Sequence, residues 1–156
     1  MRSIVQIGTR SVLLLGAAMS LTSLSSLAQT PLQAQESNVA GVVAEITECK
    51  RGDGVLTIRM RLRNTANDKV RVGLISGRNY DAYYLTAASK KYFVLRDSEK
   101  TPLAPQADGF GNLSTEIAKG ASYVWWAKFP APPADVKKVS YFTPITPPFD
   151  NISITD

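Results

Sequence analysis

Hydrophobic and polar positions alternate with a period of two along most of the chain after residue 41, which is the pattern of half-buried β-strands. The clearest case is VLTIRMRLR, residues 55–63, in which every second residue is a large apolar one and most of the others are arginine. Residues 29–41 are polar without a period and are interpreted as a flexible leader. The predicted strands are 42–49, 55–63, 70–75, 80–86, 92–95, 113–117, 123–129, 136–142 and 152–155, with a short edge strand at Leu103.

Short turns rich in Gly, Asn, Asp and Pro separate these runs, and no segment after residue 28 shows the stripe of an amphipathic helix. Strands joined by short turns without crossover helices pair antiparallel. The pattern therefore predicts an all-β chain in which residues 42–156 form one immunoglobulin-like antiparallel β-sandwich of seven to nine strands. A small barrel is the main alternative.

Two adjacent tryptophans in YVWWAKFP, residues 123–130, must face opposite sides of a regular strand. The phase of Tyr123, Trp125 and Phe129 is apolar, so it is assigned to the core. Trp126 then lies on the outer face. Either the prolines that follow cover its ring, or the ring joins nearby tyrosines in a stacking platform for a sugar or a peptide.

The first 28 residues have the order of a secretory signal peptide. Two arginines precede an apolar run, VLLLGAAMSL, and a stretch of small residues ends at Ala28. The run is short for a membrane-spanning helix, which needs about 20 residues. The sequence thus predicts a periplasmic or secreted protein that is not a lipoprotein and has no membrane span after processing. Cleavage would lower the formal net charge from +5 to +3, which does not call for a nucleic acid partner.

The side chains of several common catalytic and metal-binding arrangements are missing from the sequence. The chain has no histidine and a single cysteine, so a Ser-His or Cys-His pair, a histidine-containing zinc site and an intramolecular disulfide are all excluded. Cys49 closes an apolar-alternating run, which favours burial over pairing with another chain. The prediction is a non-catalytic protein without a cofactor or metal. The alternative is a small envelope hydrolase that uses Ser and Lys or carboxylates.

Three arginines form the one charged pattern with a definite geometry. Arg59, Arg61 and Arg63 lie on one face of the predicted strand, roughly 7 Å apart. They are either a solvated face paired to acids on neighbouring strands, such as Glu45 or Glu116, or a site for an anionic partner. The candidate binding residues are therefore Arg59, Arg61, Arg63 and Trp126.

Four stretches of the chain carry a family resemblance: Tyr83-Tyr84, KKYFVLRD (90–97) with Pro102-Leu103, VWWAKFPAPPADVKKV (124–139) and TPPFDNISI (146–154). On these stretches, and over residues 42–155 as a whole, the chain resembles a family of bacterial extracytoplasmic immunoglobulin-like domains of unknown function. In some relatives this domain precedes a peptidoglycan-binding domain of the outer-membrane-protein-A type. The resemblance implies an exported binding, adaptor or spacer module of the cell envelope. It assigns no catalytic residue. The partner would be an envelope protein, an anionic lipid or a glycan.

Overall fold

The computed structural model describes residues 30–156, and the predicted signal segment, residues 1–28, lies outside them. Regular structure in the described part consists of ten β-strands and one turn of 3₁₀ helix, η1 at Tyr80–Ala82. The strands are β1 Gln33–Glu36, β2 Val42–Gly52, β3 Val55–Asn64, β4 Val70–Ile75, β5 Tyr84–Ala87, β6 Lys90–Phe93, β7 Leu113–Ile117, β8 Ser122–Pro130, β9 Lys138–Thr143 and β10 Thr146–Ser153. The predicted all-β chain is confirmed.

The strands form two four-stranded sheets and one two-stranded sheet. The first sheet has the order β1-β2-β3-β8, the second has the order β10-β9-β5-β6, and β4 pairs with β7. Every pairing between these strands is antiparallel, as short turns require. This arrangement is consistent with a β-sandwich.

The count of ten strands exceeds the predicted seven to nine because β1 forms inside the segment predicted to be a flexible leader. Residues 33–36 pair with β2, from Gln33 opposite Ile46 to Glu36 opposite Val43. Two glutamine side chains also reach the second sheet: Gln33 donates to the carbonyl of Asp150 at 2.7 Å, and Gln35 to that of Pro147. This polar segment is therefore held by backbone and amide hydrogen bonds rather than by an apolar face.

Apolar side chains from both large sheets fill the core. Trp125 is fully buried, its ring stacks on Tyr83 with centroids 4.4 Å apart, and its indole N–H donates to the hydroxyl of Tyr141 at 3.0 Å. Phe129 meets Tyr141 edge to face, and the hydroxyl of Tyr83 donates to the carbonyl of Leu74 at 2.6 Å. Each buried polar tip therefore has a partner, as burial of Tyr and Trp requires. The inward assignment of Trp125 and Phe129 is confirmed.

Backbone hydrogen bonds join the two large sheets along both sides. On one side Thr155, just after β10, donates to the carbonyl of Cys49 at 2.9 Å and accepts from Arg51 at 2.7 Å. On the other side Lys128 of β8 accepts from Leu95 at 2.8 Å and donates to Leu103 at 3.0 Å. These hydrogen bonds partly close the edges between the two sheets, as in a barrel, although the arrangement is sandwich-like.

Two predicted strand boundaries differ from the structure for local reasons. Residues 80–82, predicted as strand, form η1, and Tyr80 is held there because its hydroxyl donates to the carbonyl of Pro105 and accepts from the N–H of Ala107. β10 begins at Thr146 rather than at residue 152. Its register shifts twice, so the strand continues through two prolines that cannot donate to a regular ladder.

Candidate functional site

The three predicted arginines lie side by side on the outer face of β3, and acids of β2 pair with all of them. The Nε atoms of Arg61 and Arg63 lie 2.6 and 3.2 Å from the two carboxylate oxygens of Glu45. Arg59 Nε lies 3.2 Å from Glu48. The carboxylate of Glu45 is therefore held between two guanidinium groups, and Glu45 is only 5% exposed. Three positive charges share two negative ones, and Arg59, whose side chain is 55% exposed, is the most accessible of the three.

Glu116, the other acid named as a partner for the arginines, pairs elsewhere. It lies on β7, and Lys69 donates to its carboxylate at 2.9 Å. This hydrogen bond, together with the charge of Lys69, lowers the pKa of Glu116. The expected pairing with the arginines is therefore correct for Glu45 and wrong for Glu116, because β7 pairs with β4 and not with β3.

Trp126 lies on the same outer face, directly across from Arg59 in the β3–β8 register. Its side chain is half-buried in a shallow groove of about 320 Å³ that is lined by Thr57, Arg59, Trp126 and Lys128. The groove residues include no tyrosine, so a platform of several rings is not formed there. The indole instead lies among one guanidinium, one ammonium and one hydroxyl group.

The proline segment, residues 130–133, does not line this groove. After β8 the N–H of Ala131 donates to the carbonyl of Gly54 at 2.9 Å, which attaches the segment to the β2–β3 turn. Val136, a few residues later, accepts a hydrogen bond from the guanidinium of Arg51. The prolines therefore run along the end of the first sheet, and the groove at Trp126 is open.

The outer edge of β8 is also open. The N–H and C=O of Lys128 both bond away from β3, to Leu103 and Leu95. Pairing with β3 continues without a register shift, so the backbone groups of Trp126 and Val124 point the same way. Neither residue makes a backbone hydrogen bond to a partner within residues 30–156 on that side. Val124 is 45% exposed.

Reactive groups are few in the described part of the chain. Cys49 is a free thiol with no exposed surface, and burial raises its pKa to about 12, with a smaller opposing effect from Arg51. The thiolate that nucleophilic chemistry requires is therefore not populated at neutral pH. Within residues 30–156 no three His, Cys, Asp or Glu side chains are grouped as a metal site would require, and no helix is long and apolar enough to cross a membrane.

The sequence predicted which side chains share the outer face at Trp126, but it did not predict that the backbone edge of β8 is free. Strand alternation placed Val124, Trp126 and Lys128 on one face, and the structure brings them beside Arg59. Which edge of β8 is free depends on the long-range pairing of residues 95 and 103, and a one-dimensional pattern does not encode this.

No protein-family model, curated protein or solved structure matches this chain.

Proposed function

We propose that this protein is a non-catalytic adaptor of the bacterial cell envelope that binds an extended acidic segment of another envelope protein along β8. Export rests on the signal-peptide pattern of residues 1–28, and the immunoglobulin-like type of sandwich rests on the resemblance of residues 42–155 to extracytoplasmic domains. The observation that supports the binding mode is the combination, at one place, of an open strand edge and a cationic groove.

The side chains of the groove favour an anionic partner. Arg59 and Lys128 flank the indole of Trp126, and only Arg59 has a carboxylate within 4 Å among the described residues. Tryptophan and arginine are the residue types that most often dominate binding energy at protein interfaces. The buried carboxylate of Glu45 offsets one of the two charges of Arg61 and Arg63, and both side chains are less exposed than that of Arg59, so these two contribute less to attraction.

The open edge favours a protein over a lipid or a glycan. A strand added beside β8 would form backbone hydrogen bonds with Val124 and Trp126, as in other cases of strand addition. Its side chains on the outer face would then lie next to Trp126 and Arg59. The Lys128 end of β8 already has partners, so the added strand is short and runs along residues 122–126.

Two variants, each with a matched control, test this proposal by cosedimentation with bacterial envelope fractions at low salt. Val124→Pro removes an N–H that points away from β3, so proline is tolerated as on other edge strands while the added strand loses a hydrogen bond. Val124→Thr keeps that N–H and is its matched control. Arg59→Gln with Lys128→Gln tests the groove, and Lys119→Gln with Lys69→Gln is the control that removes the same charge elsewhere.

We expect Val124→Pro and the Arg59/Lys128 pair each to weaken binding by about tenfold or more, and the control variants to bind within about twofold of the wild type. Equal binding by Val124→Pro and Val124→Thr would eliminate strand addition. Turnover in a screen of glycan, ester and peptide substrates would contradict the non-catalytic assignment and favour the hydrolase alternative.

A further inference from the structure

The outer face of the second sheet, which does not include β8, holds a second group of polar side chains. They surround a shallow cavity of about 310 Å³ next to the β5–β6 turn. Thr86 of β5 lies directly across from Ser140 of β9, and Lys138, Asn151 and Ser89 are the other polar residues of the lining. Lys91 of β6 lies across from Thr86 on the other side. We call Lys91, Thr86, Ser140, Lys138 and Asn151 the hydroxyl–lysine face.

Apart from the contact of Lys91 with the ring of Tyr84, these side chains make no hydrogen bond or ion pair among residues 30–156. Thr86, Ser140 and Asn151 make no side-chain hydrogen bond there, although Thr86 and Ser140 are half-buried. Neither Lys91 nor Lys138 has a carboxylate within 4 Å in that part of the chain, and the cavity lining includes no acid. Two glutamates offset two of the three arginine charges on the first sheet, whereas the two lysines here have no carboxylate partner in the described part of the chain. Polar side chains that converge on one cavity without partners of their own can serve a polar ligand.

Backbone conformation around this cavity is unusual. Ala88, Ser89 and Asn151 all line it, and their φ angles are +46°, +64° and +58°. The left-handed region costs an ordinary L-residue roughly 1–2 kcal/mol. At Ala88 and Ser89 this geometry is the one that a two-residue hairpin turn requires, and Asn151 is of a residue type that adopts it readily. The turn therefore sets the shape of one wall of the cavity, and the polar side chains carry the argument for a ligand.

A row of aromatic rings borders the hydroxyl–lysine face. Tyr84 precedes Thr86 by two residues and Phe142 follows Ser140 by two, so the rings and the hydroxyls share the outer face. The rings of Tyr84 and Phe142 stack nearly parallel with centroids 4.7 Å apart, and Lys91 Nζ lies 4.4 Å from the centroid of Tyr84. The faces of Tyr84 are therefore occupied within the protein. The row offers ring edges and the surface of Phe93, which is 45% exposed.

We propose that the hydroxyl–lysine face binds an acidic glycan. Short hydroxyl and amide side chains can hydrogen-bond the hydroxyls of a sugar, and the two ammonium groups, which have no carboxylate partner among residues 30–156, can bind a carboxylate or sulfate. The aromatic border provides an apolar contact for sugar C–H groups. An acidic polypeptide would satisfy the lysines but not the array of hydroxyls. A neutral sugar would satisfy the hydroxyls but not the lysines.

Titration calorimetry of the full chain with oligogalacturonate tests both requirements. The methyl-esterified oligomer has the same sugar ring without the charge, and polyglutamate has the charge without the sugar. We expect oligogalacturonate to bind at least about tenfold more tightly than either comparison ligand. Ser140→Ala should weaken binding about threefold to tenfold, and Lys138→Gln about tenfold.

Lys119→Gln is the matched control, since it removes one exposed lysine in the β7–β8 turn. It should bind within about twofold of the wild type. The proposal is overturned if Lys119→Gln and Lys138→Gln weaken binding equally, or if polyglutamate binds as tightly as oligogalacturonate. Either result would show that binding is a non-specific attraction between opposite charges. Absence of binding at millimolar oligogalacturonate would overturn it as well. Binding by Val124→Pro should be unchanged, because β8 belongs to the other sheet.

Discussion

Truncating each of the two adjacent tryptophans should affect stability very differently. Trp125 is fully buried, stacked on Tyr83 and hydrogen-bonded to Tyr141. Truncation of a buried Trp to Ala costs about 3–5 kcal/mol, and loss of the indole also leaves a buried hydroxyl without this donor. We therefore expect Trp125→Ala to lower the free energy of unfolding by about 5 kcal/mol. Trp126 lies half-buried on the outer face, and we expect Trp126→Ala to lose about 1 kcal/mol or less.

Urea unfolding followed by far-ultraviolet circular dichroism measures this difference. With a slope of about 2 kcal/mol/M, the midpoint should fall by about 2–2.5 M for Trp125→Ala and by about 0.5 M or less for Trp126→Ala. If Trp125→Ala does not fold, Trp125→Phe should show a smaller loss in the same direction. Acrylamide should quench the remaining tryptophan readily in Trp125→Phe and poorly in Trp126→Ala. Equal loss of stability in the two alanine variants, or equal quenching, would refute the inward and outward assignments.

Three other features give separate predictions. The thiol of Cys49 should react with a disulfide reagent only on unfolding. Burial raises its pKa to about 12 while the unfolded thiol ionises near 9, so the free energy of unfolding should decrease as the pH rises from 9 to 12. Urea midpoints at pH 8 and 10 check this, and Cys49→Ala should make the decrease in the midpoint between these pH values smaller. The β5–β6 turn has positive φ at Ala88 and Ser89, so Ala88→Asn with Ser89→Gly should raise stability by about 1 kcal/mol in thermal unfolding. Glu45→Gln should lower the unfolding free energy by about 1–3 kcal/mol, whereas Glu116→Gln, at an exposed pair, should leave the urea midpoint unchanged.

Most of the strands could be predicted from the sequence because hydrophobic and polar residues alternate along them. Leu56, Ile58 and Met60 are fully buried, as the period-two pattern of β3 predicts. The pattern failed in the leader, because β1 is held by hydrogen bonds from backbone and glutamine side chains and has no apolar stripe to detect.

The binding surfaces were less accessible to sequence reasoning because they depend on which strands become neighbours. The arginine row was correctly placed on one face, but its neutralisation by Glu45 follows from the β2–β3 register. The hydroxyl–lysine face was missed altogether. Thr86, Ser140 and Lys91 come from three separate strands, and each is an ordinary surface residue until β5 is placed between β6 and β9.

Amide hydrogen exchange at Val124 and Trp126 is the most direct measurement of whether β8 is an open edge that binds a partner strand. In the free protein both amides should exchange far faster than that of Trp125, whose N–H points toward β3. Saturation with the envelope fraction that sediments with the protein should slow both. Strong protection of Val124 and Trp126 in the free protein, or no change on binding, would contradict the proposed adaptor function.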